Sequence, residues 1–142
     1  MYYSAGGRDL RIQNLLDVNT SQKFLEIALS GKNLTSFFEK AGVHTIAIAP
    51  FDYFAKCLIE SIDLKSIRVT GIYDKMAYNF PTGFKGIDVK DYHAISGQKA
   101  DMYIVTNNYY QNDIIDTLIE EGVDLEKIVG INTILFGLEC MK

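Results

Sequence analysis

The chain has 142 residues, 48% apolar and 23% charged, which suits one globular domain with a single core and excludes a disordered or fibrous protein. Its net charge of −4, with lysines and arginines scattered along the chain, argues against a nucleic-acid partner, because phosphate-binding faces need clustered cations. No apolar run approaches the roughly 18 residues of a membrane span, and Met1-Tyr2-Tyr3-Ser4 lacks the order of a signal peptide, so a cytoplasmic chain without a membrane partner is expected.

In chain order, the first dozen residues with Gly6-Gly7 read as a lead-in, and Leu10, Ile12, Leu15, Leu16 and Val18 as a short amphipathic helix. Asn19-Thr20-Ser21-Gln22 suggests a stop and a new start, since Asn19 three residues before Gln22 makes a capping box. Phe24, Leu25, Ile27, Ala28 and Leu29 then give a second helix, which Gly31 ends. Asn33 should cap a third helix carrying Leu34, Phe37 and Phe38, with Gly42 as its stop. Residues 1–42 are thus an N-terminal helical extension that covers the sheet or pairs with a second copy, and residues 43–142 are the α/β domain.

From Val43 the rhythm changes. Val43 to Ala49 is a strand buried on both faces, Asp52 is the N-cap of a helix Tyr53–Ile62, and Ser66 to Tyr73 alternates as a second strand. A loop with the turn signal Phe80-Pro81-Thr82-Gly83 leads to a short strand Ile87–Val89 and a short helix opened by Asp91. Met102 to Thr106 is a fourth strand, and a helix from Gln111 stops at Gly122. Ile128 to Ile131 is the last strand, with Asn132 capping a final helix Thr133–Cys140. Such alternation gives an α/β, three-layer αβα Rossmann-like parallel sheet.

Cys57 and Cys140 lie in apolar patterns and read as small buried side chains in a reducing compartment. His44 and His93 have no cysteine or acid at metal-ligand spacing. No nucleophile, base and orienter grouping is found, so no catalytic residue and no metal is assigned, and activity of the stand-alone chain is the minor reading.

A doubly wound sheet binds ligands past the carboxyl ends of its strands. That edge should gather Phe51, Asp52 and Tyr53 from the first loop, Asp74 and Lys75 from the second, and Thr106, Asn107, Asn108, Tyr109 and Tyr110 from the fourth strand. Laid on the glycine pattern of dinucleotide binders, the three glycine positions fall on Pro50, Asp52 and Ala55. Pro50 has no N–H to offer a phosphate. Asp52 puts a like charge where a diphosphate would rest, and at about 4 Å that costs roughly 4 kcal/mol at an effective dielectric of 20. Neither NAD nor FAD is expected, and no cofactor is assigned. Asp74 stands where an acid contacts a ribose hydroxyl, or else it holds the next turn. The aromatics Phe51, Tyr53, Tyr73, Tyr78, Phe80, Tyr109 and Tyr110 could stack a base or sugar, fold inward and plug the pocket, or meet a protein partner.

The order of these pieces resembles the Rossmann-like domains of bacterial surface-glycan biosynthesis, found at the N-terminus of sugar acyltransferases and the C-terminus of sugar C-methyltransferases. The likeness rests on Ile46-Ala47-Ile48-Ala49, Gly71-Ile72-Tyr73-Asp74, Gly86-Ile87-Asp88-Val89 and Ala100-Asp101-Met102-Tyr103-Ile104-Val105-Thr106. It implies an accessory module of polysaccharide biosynthesis that binds a nucleotide-sugar or similar polar metabolite. The alternative is a degenerate domain with no small ligand, which forms a homodimer or docks to a partner glycan-biosynthesis enzyme.

Overall fold

The computed structural model describes residues 10–30 and 33–140. Two expectations, the glycine-bearing lead-in and the stop at Gly31, fall wholly or mostly outside them. Five parallel strands form one sheet in the order β3-β2-β1-β4-β5, where β1 is Thr45–Ala49, β2 Arg68–Tyr73, β3 Val89–Lys90, β4 Met102–Val105 and β5 Ile128–Gly130. The helices are α1 Leu10–Ser30, α2 Leu34–Lys40, α3 Tyr53–Glu60, α4 Gln111–Glu120 and α5 Ile131–Cys140, with a 3-10 segment at Tyr92–Gly97 replacing the short helix opened by Asp91. The architecture is the expected three-layer αβα sandwich.

Side chains of a strand alternate between faces, and β1 divides its five residues accordingly. Ile46 and Ile48 point into a core shared with Ile27 of α1, Phe38 of α2, Leu58 of α3 and Leu135 of α5. Ala47 and Ala49 point the other way, among Tyr73, Tyr92, Tyr103, Ile114 and Leu118. The small alanines leave room on that face for the rings of Tyr73 and Tyr103, and Tyr73 lies back across Gly71, where a Cβ would come within 3.0 Å of its ring. Its hydroxyl is buried without a hydrogen-bond partner among the described residues.

Local signals hold where they are strong. Asn33 caps α2 by accepting from the Ser36 N–H, and Gly42 leaves the helix with φ +76°. Several boundaries differ from the sequence reading by about two residues, among them β3, which is Val89–Lys90 instead of Ile87–Val89, and two differences at helices have long-range causes. No break divides α1 at residues 19–22, because Thr20 is held inside the helix by the Leu16 carbonyl, 3.0 Å away, and by the side chains of Asn108 and Asn132. Asn132 does not cap the last helix. It lies in the first turn of α5, where its Nδ2 donates to Asn108 Oδ1 at 2.8 Å. Cys140 is exposed and Cys57 only half-buried, against the expectation that both cysteines are buried.

Candidate functional site

The chain leaves β1 in one direction and β4 in the other, so the loops after these two strands diverge and open a cleft at the carboxyl edge. The first loop begins with a cis Ala49–Pro50 bond and is then fixed by two aspartates. Asp74, buried at the end of β2, accepts from the Phe51 N–H at 2.9 Å and from the Met76 N–H at 2.8 Å. Both of its oxygens therefore hold backbone, the strand-end role among the two considered for it. The Phe51 ring turns away from the cleft and meets Phe80 edge-on at 4.8 Å and Phe84 at 5.9 Å, with the Lys56 ammonium 5.1 Å from its centroid.

Asp52 stands at the head of α3. Its Oδ1 accepts from the Ala55 N–H at 2.9 Å and from the Thr106 hydroxyl at 2.8 Å, joining the β1 loop to the end of β4. The positive end of α3, where a phosphate would lie in a dinucleotide binder, is thus occupied by a carboxylate of the chain itself. Burial pushes the Asp52 carboxyl above its ordinary 3.8. The bonds from Ala55 and Thr106 oppose that rise, and the charges of Asp17 and Asp74 add to it.

Asp17, Ser21, Asp52, Tyr53, Phe54 and Asn107 line a cleft of about 270 Å³ beside this cap. Its walls come from α1, the head of α3 and the loop after β4. Asn107 is held by its own loop, its Oδ1 accepting from the N–H of Tyr110 three residues on, at 2.8 Å. Tyr53 is 69% exposed at the rim. Among the described residues such a lining offers carboxylate, hydroxyl and amide groups and two aromatic rings, but no cationic side chain. It suits donors such as sugar hydroxyls or an ammonium, and it disfavours phosphate. Among the described residues no three His, Cys, Asp or Glu side chains converge as metal ligands.

Of the residues expected at this edge, Asp52, Tyr53 and Asn107 line the cleft, and Thr106 supports it from within. Asn108 faces away and donates to Thr20 at 2.8 Å. Lys75 lines a separate groove of about 320 Å³ with Tyr92, Asp113, Asp116, Thr117 and Glu120. Tyr109 is buried against Tyr110, with ring centroids 4.6 Å apart. Asp17 and Ser21 were not foreseen. Their spacing of i and i+4, continued by Phe24 at i+7, would have placed them on one helix face had the expected break at residues 19–22 not hidden it.

Comparisons with protein-family models, curated proteins and solved structures return no match for this chain.

Proposed function

We propose that this chain is a non-catalytic binding module that takes a hydroxyl-rich metabolite of sugar type in the cleft between α1, α3 and the loop after β4. The cleft itself carries the reading: about 270 Å³ at the switch point, lined by Asp17, Ser21, Asp52, Asn107 and the ring of Tyr53. Carboxylates and amides accept from sugar hydroxyls, and a flat ring at the rim packs on a pyranose face. A nucleotide-sugar would enter by its sugar end, because its diphosphate meets Asp52 instead of free N–H groups at the head of α3. The resemblance to surface-glycan domains supplies the pathway, polysaccharide assembly in a bacterial cytoplasm.

Thermal-shift titration with free hexoses, hexosamines, nucleotide-sugars and bare nucleoside diphosphates tests it. Binding to the native state raises apparent stability by about 2.7 kcal/mol at a hundredfold excess over Kd. The expected pattern is a rise with one sugar class, its loss in Asp17→Ala, and none with the bare diphosphates. Silence from every sugar at millimolar concentration overturns the reading. A second reading, association without a small ligand, is favoured by the apolar side chains on the outer face of α1, of which Leu15 is 69% and Leu25 59% exposed.

A further inference from the structure

Helix α1 is apolar on two opposite faces. Its inner face, with Thr20, Phe24 and Ile27, packs against the domain. On its outer face Arg11, Leu15, Val18, Gln22 and Leu25 follow each other at steps of four, three, four and three residues, the spacing of a coiled-coil seam. Leu15, Val18 and Leu25 are 69%, 53% and 59% exposed, and Ile12 beside them is 56% exposed. We propose that this seam pairs with the same seam of a second copy of this chain, the two α1 helices running antiparallel.

The charges choose both the partner and the direction. Among the described residues of the seam and its flanks, which are Arg11, Ile12, Asn14, Leu15, Val18, Asn19, Ser21, Gln22, Leu25 and Glu26, the only charged ones are Arg11 and Glu26. A two-fold axis at residue 20 sets Leu15 against Leu25 of the second copy and Val18 against Gln22. It also brings Arg11 within about one turn of the second copy's Glu26, twice by symmetry. A parallel, in-register pair would instead face Arg11 with Arg11 and Gln22 with Gln22, and would set Glu26 beside no cation of the second copy. The stripe is therefore complementary to itself in one orientation only.

Twenty-one residues make a helix about 31 Å long. A strip of that length and one helix wide places the contact near the lower bound for specific association, about 1,000 Å² in total. Contacts of that size belong to weak or transient pairs, so association is expected at micromolar concentration or above. This inference does not rest on the ligand reading, although Asp17 and Ser21 of the same helix line the cleft.

Sedimentation equilibrium of the full chain tests it. Twice the monomer mass is expected as concentration rises through the micromolar range. Leu15→Glu and Leu25→Glu, each on an exposed position, should raise the dissociation constant at least tenfold while leaving the melting temperature of the dilute monomer unchanged. Arg11→Glu and Glu26→Arg should each weaken the dimer several-fold, and the double exchange should restore it. A chain that stays monomeric at high concentration overturns the proposal and leaves the stripe to a different protein. A dimer indifferent to both leucine variants overturns it too, and failure of the double exchange to restore pairing overturns the antiparallel register.

Discussion

The two ends of the sheet each carry an aspartate that accepts backbone hydrogen bonds, and the two behave oppositely. At the amino end, exposed Asp101 accepts from the N–H groups of His44 at 2.9 Å and Thr45 at 3.1 Å, while its own N–H donates to the Thr45 hydroxyl. The His44 bond, ahead of those from Thr45, holds its carboxyl below the ordinary 3.8. At the carboxyl end, Asp52 has comparable bonds but is half-buried at the head of α3, and desolvation, with the charges of Asp17 and Asp74, pushes its carboxyl up. The amino end uses a carboxylate to stabilise the fold; the carboxyl end keeps one despite the fold. The difference comes from burial and like charge at Asp52, against exposure at Asp101.

The largest test of this contrast removes Phe51, whose ring anchors the first loop against Phe80 and Phe84. Phe51→Ala should lose about 2–3 kcal/mol in urea unfolding, less than a fully buried phenylalanine because the ring is half-buried. Asp74→Ala should cost about 2 kcal/mol by leaving the Phe51 and Met76 N–H groups without their acceptor. Tyr73→Phe should instead raise stability by about 1 kcal/mol, since it deletes a buried hydroxyl that has no partner among the described residues. No change in that variant would show the hydroxyl to be hydrated.

The smallest effects are the sharpest, because their signs differ. Asp52 binds its proton more tightly in the folded chain, so its contribution is favourable at low pH and is lost as pH rises from 3.8 through the raised folded value. Asp52→Asn keeps an acceptor for Ala55 and Thr106, and should gain on wild type across that rise and hold the gain at neutrality. Asp101 is the reverse: its contribution is present above 3.8 and lost as pH falls through the lowered folded value. Asp101→Asn should trail wild type at neutral pH and converge with it in acid. Denaturation midpoints from pH 2 to 7 would show curves of opposite slope, and parallel curves would break the comparison.

What was legible without coordinates was local. Val43 to Ala49 has the apolar density of a strand buried on both sides, Asp52 and Asn33 precede their helices at cap positions, and Gly42 stands where a left-handed residue ends a helix. Each signal is complete within a few residues, because a cap or a strand pattern is satisfied by its immediate neighbours. The substitution of Asp52 at the phosphate position was readable for the same reason.

Where the sequence misled or fell silent, the deciding partner lay far along the chain. Thr20 and Asn132 look like boundary residues, yet both are spent on Asn108, which is 88 and 24 positions away, and α1 runs on unbroken. That continuity brings Asp17 and Ser21 to the cleft. The contact of Phe51 with Phe80 and Phe84 was unreadable for the same reason, since 29 and 33 positions separate them. By itself the sequence determined the five strands, most of the helices and the carboxylate at the head of α3, since these follow from hydrogen bonds and periodicity within a single turn or strand. The strand order, the residues lining the cleft and the face α1 leaves uncovered were decided only by tertiary packing, because a polar side chain takes whichever partner the folded chain brings within 3 Å, and spacing in sequence does not encode that distance.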